Sequence, residues 1–147
     1  MKQCFRLALV ALLCLGATSA VARMYWAENR MQAEANPARD GVFEVFQKAT
    51  AGPSDYWCAA GDFVRWKKGQ AGATRVYVMR GMGPSEVRPG RTSVIFTYVK
   101  YPEVAELSAA EQGYSVSISK VGYNLRASHG YAMCRDSIQR FRGRGLF

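Results

Sequence analysis

The residues able to do chemistry in this chain are few, and their spacing favours structure over catalysis. Past residue 22 there are two cysteines, Cys58 and Cys134, and the whole chain holds one histidine, His129. A nucleophilic thiol needs a base beside it, and thiol–disulfide enzymes keep two cysteines close, as in C-x-x-C. Cys58 and Cys134 lie 76 positions apart, so they are read as a structural disulfide, with Trp57 as core packed against it. A metal site needs three or four converging ligands, and a lone His129 on the polar side of a helix supplies one. No catalytic residue, metal site or cofactor is therefore expected. Asp55, Asp62 and Asp136 are the carboxylates left for acid–base hydrolysis, which works through a pair flanking the scissile bond. Gly81-Met82-Gly83-Pro84 has the glycines of a phosphate cradle but not the Lys-Ser/Thr that follows one, and it is read as a hairpin turn.

The remaining signal is charge. The 147 residues carry 20 Lys plus Arg against 11 Asp plus Glu, a formal charge of +9. Arg135, Arg140, Arg142 and Arg144 crowd the C-terminus, and Arg80, Arg88 and Arg91 rim the loop between two expected strands. Arg65, Lys67 and Lys68 end the first expected helix. Basic side chains at a helix end complement its negative pole, which accounts for the helical clusters without a ligand. The functional account is a surface drawn to anions. The first seven are the candidate anion-binding residues.

The first 22 residues read as an export signal. Lys2 and Arg6 precede the apolar run Leu7–Leu15, and Ala20-Val21-Ala22 supplies the small-x-small cleavage pattern. The apolar stretch is shorter than the about 20 residues that span a bilayer, so no stable membrane span is expected after cleavage. Removal takes Lys2 and Arg6 and no acid, which leaves 18 basic and 11 acidic side chains and a charge of +7. A periplasmic or extracellular location follows, where thiols pair. A partner is then an anionic envelope component or an envelope protein, and nucleic acid is not expected there.

The elements that must position these residues are read from periodicity. Residues 23–41 form a linker or short helix, residues 42–142 one α+β domain, and residues 143–147 a tail. Val42–Gln47, Thr74–Arg80, Thr92–Val99 and Tyr114–Ser119 are the expected strands, rich in β-branched and aromatic residues. In the last of them Tyr114, Val116 and Ile118 face inward. Ser54 is expected to cap a helix running to about Lys68, with Tyr56, Trp57, Ala60, Phe63 and Val64 on its buried stripe. At 100° per residue Cys58 falls off that stripe. A second helix carries Tyr123, Ala127, Tyr131, Cys134, Ile138 and Phe141 on one face. The expected fold is about four mainly antiparallel strands with two helices on one face, stapled by one disulfide.

Asp55-Tyr56-Trp57-Cys58-Ala59-Ala60-Gly61-Asp62, Gly83-Pro84-Ser85, Pro89-Gly90-Arg91 and Cys134-Arg135-Asp136 resemble small exported bacterial proteins of uncharacterised function, over most of residues 42–137. That resemblance agrees with the two-cysteine reading and implies no activity. The leading expectation is a non-catalytic envelope module that binds or scaffolds an anionic partner. A small secreted carboxylate hydrolase and an accessory subunit of an envelope complex are the alternatives. The second draws on three Trp, eight Tyr and seven Phe, since aromatics enrich interfaces.

Overall fold

The computed structural model describes residues 23–108 and 115–143. The expected export signal, Tyr114 and Arg144 lie outside them, as do the side chains of Arg140 and Arg142. Six strands make one antiparallel sheet: β1 (Tyr25–Trp26), β2 (Gln32–Ala35), β3 (Val42–Phe46), β4 (Arg75–Pro84), β5 (Thr92–Thr97) and β6 (Asn124–Arg126), in the order β1-β2-β3-β5-β4-β6. The helices are α1 (Pro53–Asp62), α2 (Pro102–Ser108), α3 (Ala127–Ala132) and α4 (Cys134–Gly143). The α+β class is as expected, but the described residues form six strands rather than about four, and more than two helices.

The main core lies between α1 and one face of the sheet. Alternation along the strands sends Phe43 and Val45, Val94 and Phe96, and Val76 and Val78 to that face. Tyr56, Trp57, Ala60, Phe63 and Val64 meet them from α1, the stripe expected from the helical period. Phe43 stacks on Phe63 at 4.6 Å and Trp57 meets Phe96 edge-on at 5.1 Å. Such contacts add about 0.5–1.5 kcal/mol each beyond the area they bury.

Pro53 opens α1 at its first position, where its missing N–H is no loss. The cap is Gly52 and not Ser54. The Asp55 carboxylate reaches back to accept the Gly52 N–H at 2.7 Å, the half of a capping box that an acid at the third position supplies. After Asp62 the helix widens into a π-helical turn, Phe63–Lys67, closed by Lys68 N–H donating to the Phe63 carbonyl at 3.0 Å.

Residues 25–35 are not a linker or helix. They form the β1–β2 hairpin, which extends the sheet past β3. Gln32-Ala33-Glu34-Ala35 is made of helix-forming types, and pairing with β3 overrides that preference. Tyr114–Ser119 also differs from expectation: its described residues, 115–119, are irregular, with bends at 115, 118 and 119, rather than a strand. The Ser117 hydroxyl accepts the Lys120 N–H at 3.0 Å, one of the local bonds by which serine competes with a ladder. The edge of β4 is taken instead by residues 122–126, where Val78 N–H donates to the Tyr123 carbonyl and Gly122 N–H to the Val78 carbonyl, both at 2.8 Å. Val116 and Ile118 still pack against the core, so their inward assignment holds without the strand.

Two contacts clamp the helices. Cys58 is fully buried and bonded to Cys134, the first residue of α4, so the disulfide ties helix to helix on one side of the sheet. Beside it, α1 and α3 touch backbone to backbone. A Cβ on Gly61 would stand 2.4 Å from the Tyr131 nitrogen, and one on Gly130 would stand 2.7 Å from the Trp57 carbonyl oxygen. Neither neighbour can yield without moving a helix. Gly61→Ala is therefore expected to lower unfolding free energy by about 2–3 kcal/mol, read by urea denaturation; an unchanged midpoint would show the helices are not in contact there. Replacing both Cys58 and Cys134 by Ser is expected to cost about 2–5 kcal/mol, given the 76-residue ring, measured as the gap between the denaturation curves of the two proteins.

Candidate functional site

The seven arginines expected to bind anions do not form one patch. Arg88 reaches back over the sheet from the β4–β5 loop. Its Nε and Nη2 donate to the two oxygens of Glu34 at 2.7 and 3.0 Å, so its charge is matched by a carboxylate of the sheet. Arg80 lies at an irregular step of β4; its Nη2 is 3.5 Å from the Ser93 hydroxyl and its Nε is buried with no acceptor among the described residues. Below them Glu44 is fully buried and accepts the Ser93 hydroxyl and the Glu86 N–H, both at 2.7 Å. These bonds pin the loop to the second face of the sheet. Arg80 and Arg88 thus belong to the fold of that loop.

Arg91 has a different setting. Its guanidinium stands 4.1 Å from the centre of the Phe46 ring, a cation–π contact, and it opens into a cleft of about 290 Å³. Three segments build this cleft. The β1–β2 hairpin brings Trp26, Arg30 and Gln32, the end of β3 brings Phe46, Gln47 and Lys48, and Arg91 closes it. Buried Met31 and Phe46 form the floor. Three cations line it and no acid does. Trp26 stands at its lip, 62% exposed.

The local structure that holds these side chains is specific. Tyr25 and Trp26 alternate across the sheet, so Tyr25 packs edge-on against Phe63 at 5.7 Å while Trp26 is turned outward. The hairpin closes with Ala27 N–H donating to the Met31 carbonyl at 2.9 Å and Arg30 N–H to the Ala27 carbonyl at 2.8 Å. Arg30 has φ +60°, a left-handed position where glycine is usual. Holding a non-glycine residue there costs roughly 1–2 kcal/mol. Asn29 fixes the turn by donating to the Asp55 carbonyl at 2.8 Å and accepting the Met31 N–H at 3.1 Å. Lys48 Nζ donates to the Asn29 carbonyl at 3.0 Å.

A second cleft, of about 510 Å³, lies on the helical side of the same hairpin. It is lined by Glu28, Arg65, Ser128, Tyr131 and Arg135, with Cys134 of the disulfide. The π-helical turn sets Arg65 between two rings, 5.0 Å from the centre of Trp66 and 5.2 Å from that of Tyr131. A hydrogen bond to Glu28 holds the Tyr131 phenol above its ordinary pKa. This cleft mixes both signs of charge. Arg135 is the one C-terminal candidate whose side chain is described in a cleft.

Asp62 anchors the hairpin between the clefts. Its carboxylate accepts the Tyr25 hydroxyl at 3.1 Å and the Glu28 N–H at 2.6 Å. Burial, against those two bonds, leaves its pKa raised, and burial with Asp62 as neighbour pushes the Tyr25 phenol up to about 12. The Asp55 carboxylate is spent on the start of α1, and Asp136 lies exposed on α4. Neither cleft is lined by Asp55, Asp62 or Asp136. His129 is exposed on α3. Among the described residues no three His, Cys, Asp or Glu side chains gather as a metal site, and no helix is long and apolar enough to cross a membrane.

Sequence reasoning missed Trp26, Arg30 and Lys48. No local signal marked them, because the two-residue strand Tyr25–Trp26 exists through its pairing with Gln32-Ala33.

A raised carboxyl pKa has a defined sign. Below the ordinary Asp value of about 3.9 the folded and unfolded chains are both protonated at Asp62 and its stabilising contribution is complete. As pH rises through the higher folded-state value the buried group must ionise and that contribution is lost. The stability of the native protein relative to Asp62→Asn is therefore expected to fall as pH is raised from about 4, measured by urea denaturation at successive pH values; a constant difference would show an unshifted carboxyl. No family model matches this chain, and the comparisons with curated proteins and with solved structures found no match.

Proposed function

We propose that this protein is an exported, non-catalytic binding module of the cell envelope, and that the Trp26–Arg30–Lys48–Arg91 cleft receives an anionic partner. The observation that supports this reading is the lining of the cleft: among the described residues it takes three cations and no acid. A cleft of one sign with low-dielectric walls focuses its field on an entering counter-charge. The Cys58–Cys134 disulfide and the export-signal pattern of residues 1–22 fit an oxidising compartment outside the cytosol. The partner is then an anionic component of the envelope or an envelope protein presenting acidic groups.

The test uses the oxidised protein and polyphosphate, an anion with neither rings nor apolar surface. Binding is expected to weaken steeply as salt is raised from about 0.05 to 0.3 M, as screening requires. The triple variant Arg30→Gln, Lys48→Gln, Arg91→Gln is expected to bind at least about tenfold more weakly, a loss of roughly 1.4 kcal/mol, with Arg135→Gln close to the native protein. Absent or salt-independent binding, or equal loss in Arg135→Gln, would overturn the reading.

A further inference from the structure

Resting on that reading of the cleft, we propose that its ligand is an acidic oligosaccharide. Trp26 stacks on the C–H face of a sugar ring, Gln32 and Gln47 meet its hydroxyls, and Arg30, Lys48 and Arg91 hold its anionic groups.

The lining separates this class from other anions. A site for a bare phosphate or sulfate needs donors only. Gln32 and Gln47 each bring an amide oxygen as well as an NH₂ group; an anion uses the NH₂ groups alone and leaves both acceptors unanswered. Paired with hydroxyl groups, which both donate and accept, the same two amides are matched. Trp26 adds what a simple anion cannot use: a large apolar face, 62% exposed at the lip of the cleft. The cleft volume of about 290 Å³ is near the lower end of small-ligand sites, about 300 Å³, a size for ring units rather than for an extended protein surface.

A lipid surface fits less well. Interfacial binding needs a broad apolar face beside the basic one. Among the described residues the other exposed large hydrophobics are Trp66, Met82 and Leu107, and none of them lines this cleft. Trp66 is engaged with Tyr131 at the other cleft, Met82 is on β4 and Leu107 on α2. Single-stranded nucleic acid is bound on successive aromatic platforms. Here one ring is open, because Phe46 is buried beneath Arg91.

The deciding experiment is calorimetric titration of the oxidised protein with four probes: a hexameric polyuronate, its methyl ester (the same rings without the charge), phosphatidylglycerol vesicles, and an oligothymidylate of matched charge. The hexauronate is expected to bind saturably and more tightly than the other three, with the ester at least about tenfold weaker. Trp26→Ala is expected to lose about tenfold or more on the hexauronate while polyphosphate binding changes little, and Trp26→Phe to retain most of the affinity. Trp26 is an outward-facing residue of a two-residue edge strand, so an unchanged melting temperature serves as the folding control. Should Trp26→Ala melt early, Gln32→Ala with Gln47→Ala provides the second reading, since both amides lie in the same cleft and the pair should weaken hexauronate binding by about tenfold with polyphosphate binding changed little, an equal loss on both overturning the saccharide assignment. If hexauronate binding ignores Trp26→Ala and only tracks charge, the saccharide assignment falls and the anion reading stands. Tighter binding of vesicles or oligothymidylate also overturns the assignment. If no probe binds and polyphosphate fails too, both readings fall.

Discussion

The place where α1 meets α3 without side chains between them sets the geometry of the rest. Gly61 and Gly130 bring two backbones within reach of one another, and nothing larger fits. That approach fixes the height of α1 above the sheet, so that Trp57 and Phe63 reach Phe96 and Phe43. It also brings Cys58 to the start of α4, where the disulfide closes. A covalent tie then holds a contact that packing has already made tight. From α1 the order spreads outward through single polar bonds. Asn29 reaches the Asp55 carbonyl, Tyr25 and Glu28 reach Asp62, and Trp57 donates to the Ser117 carbonyl. The hairpin that lies between the two clefts is thus hung from a helix rather than held by its own two-residue edge strand.

The distribution of charge shows why a net value says little about a site. Arg88 and Arg91 are three residues apart in one loop, yet the first is matched by Glu34 on the sheet and the second stacks on Phe46 and faces open space. Arg80 faces a hydroxyl that is itself committed to Glu44. Of the described basic residues, Arg30, Lys48 and Arg91 line the cleft together with aromatic, amide and aliphatic groups.

What could be read from the sequence was whatever local pattern decides. The β-branched and aromatic runs of β3 and β5 and the apolar stripe of α1 at three-to-four spacing announce themselves in composition and period. The pairing of Cys58 with Cys134 follows once residues 1–22 are read as an export signal, since that reading leaves no third cysteine. What could not be read was set by partners distant in sequence. Gln32–Ala35 is a strand because Phe43–Val45 offers it a ladder. Residues 115–119 are not one, because the β4 edge is occupied by the segment that follows them. Gly81–Gly83 looked like a turn and instead lies within β4, where two register shifts absorb it. The cleft was the least legible part. It joins side chains from residues 26–32, 46–48 and 91, and only the sheet order β1-β2-β3-β5 brings those three segments side by side.

Glu44 sits at the centre of the sheet with no exposure, one oxygen answered by the hydroxyl of Ser93 and the other by the backbone amide of Glu86, 42 residues further on. Neutralising the acid alone strands a buried hydroxyl and unfastens the loop; removing the serine or shortening the loop strands a buried acid. Each single step passes through a poorer molecule. Descent should therefore bind Glu44 and Ser93 to one another and to the length of the loop, while the bond from residue 86 is a backbone amide that any residue but proline supplies.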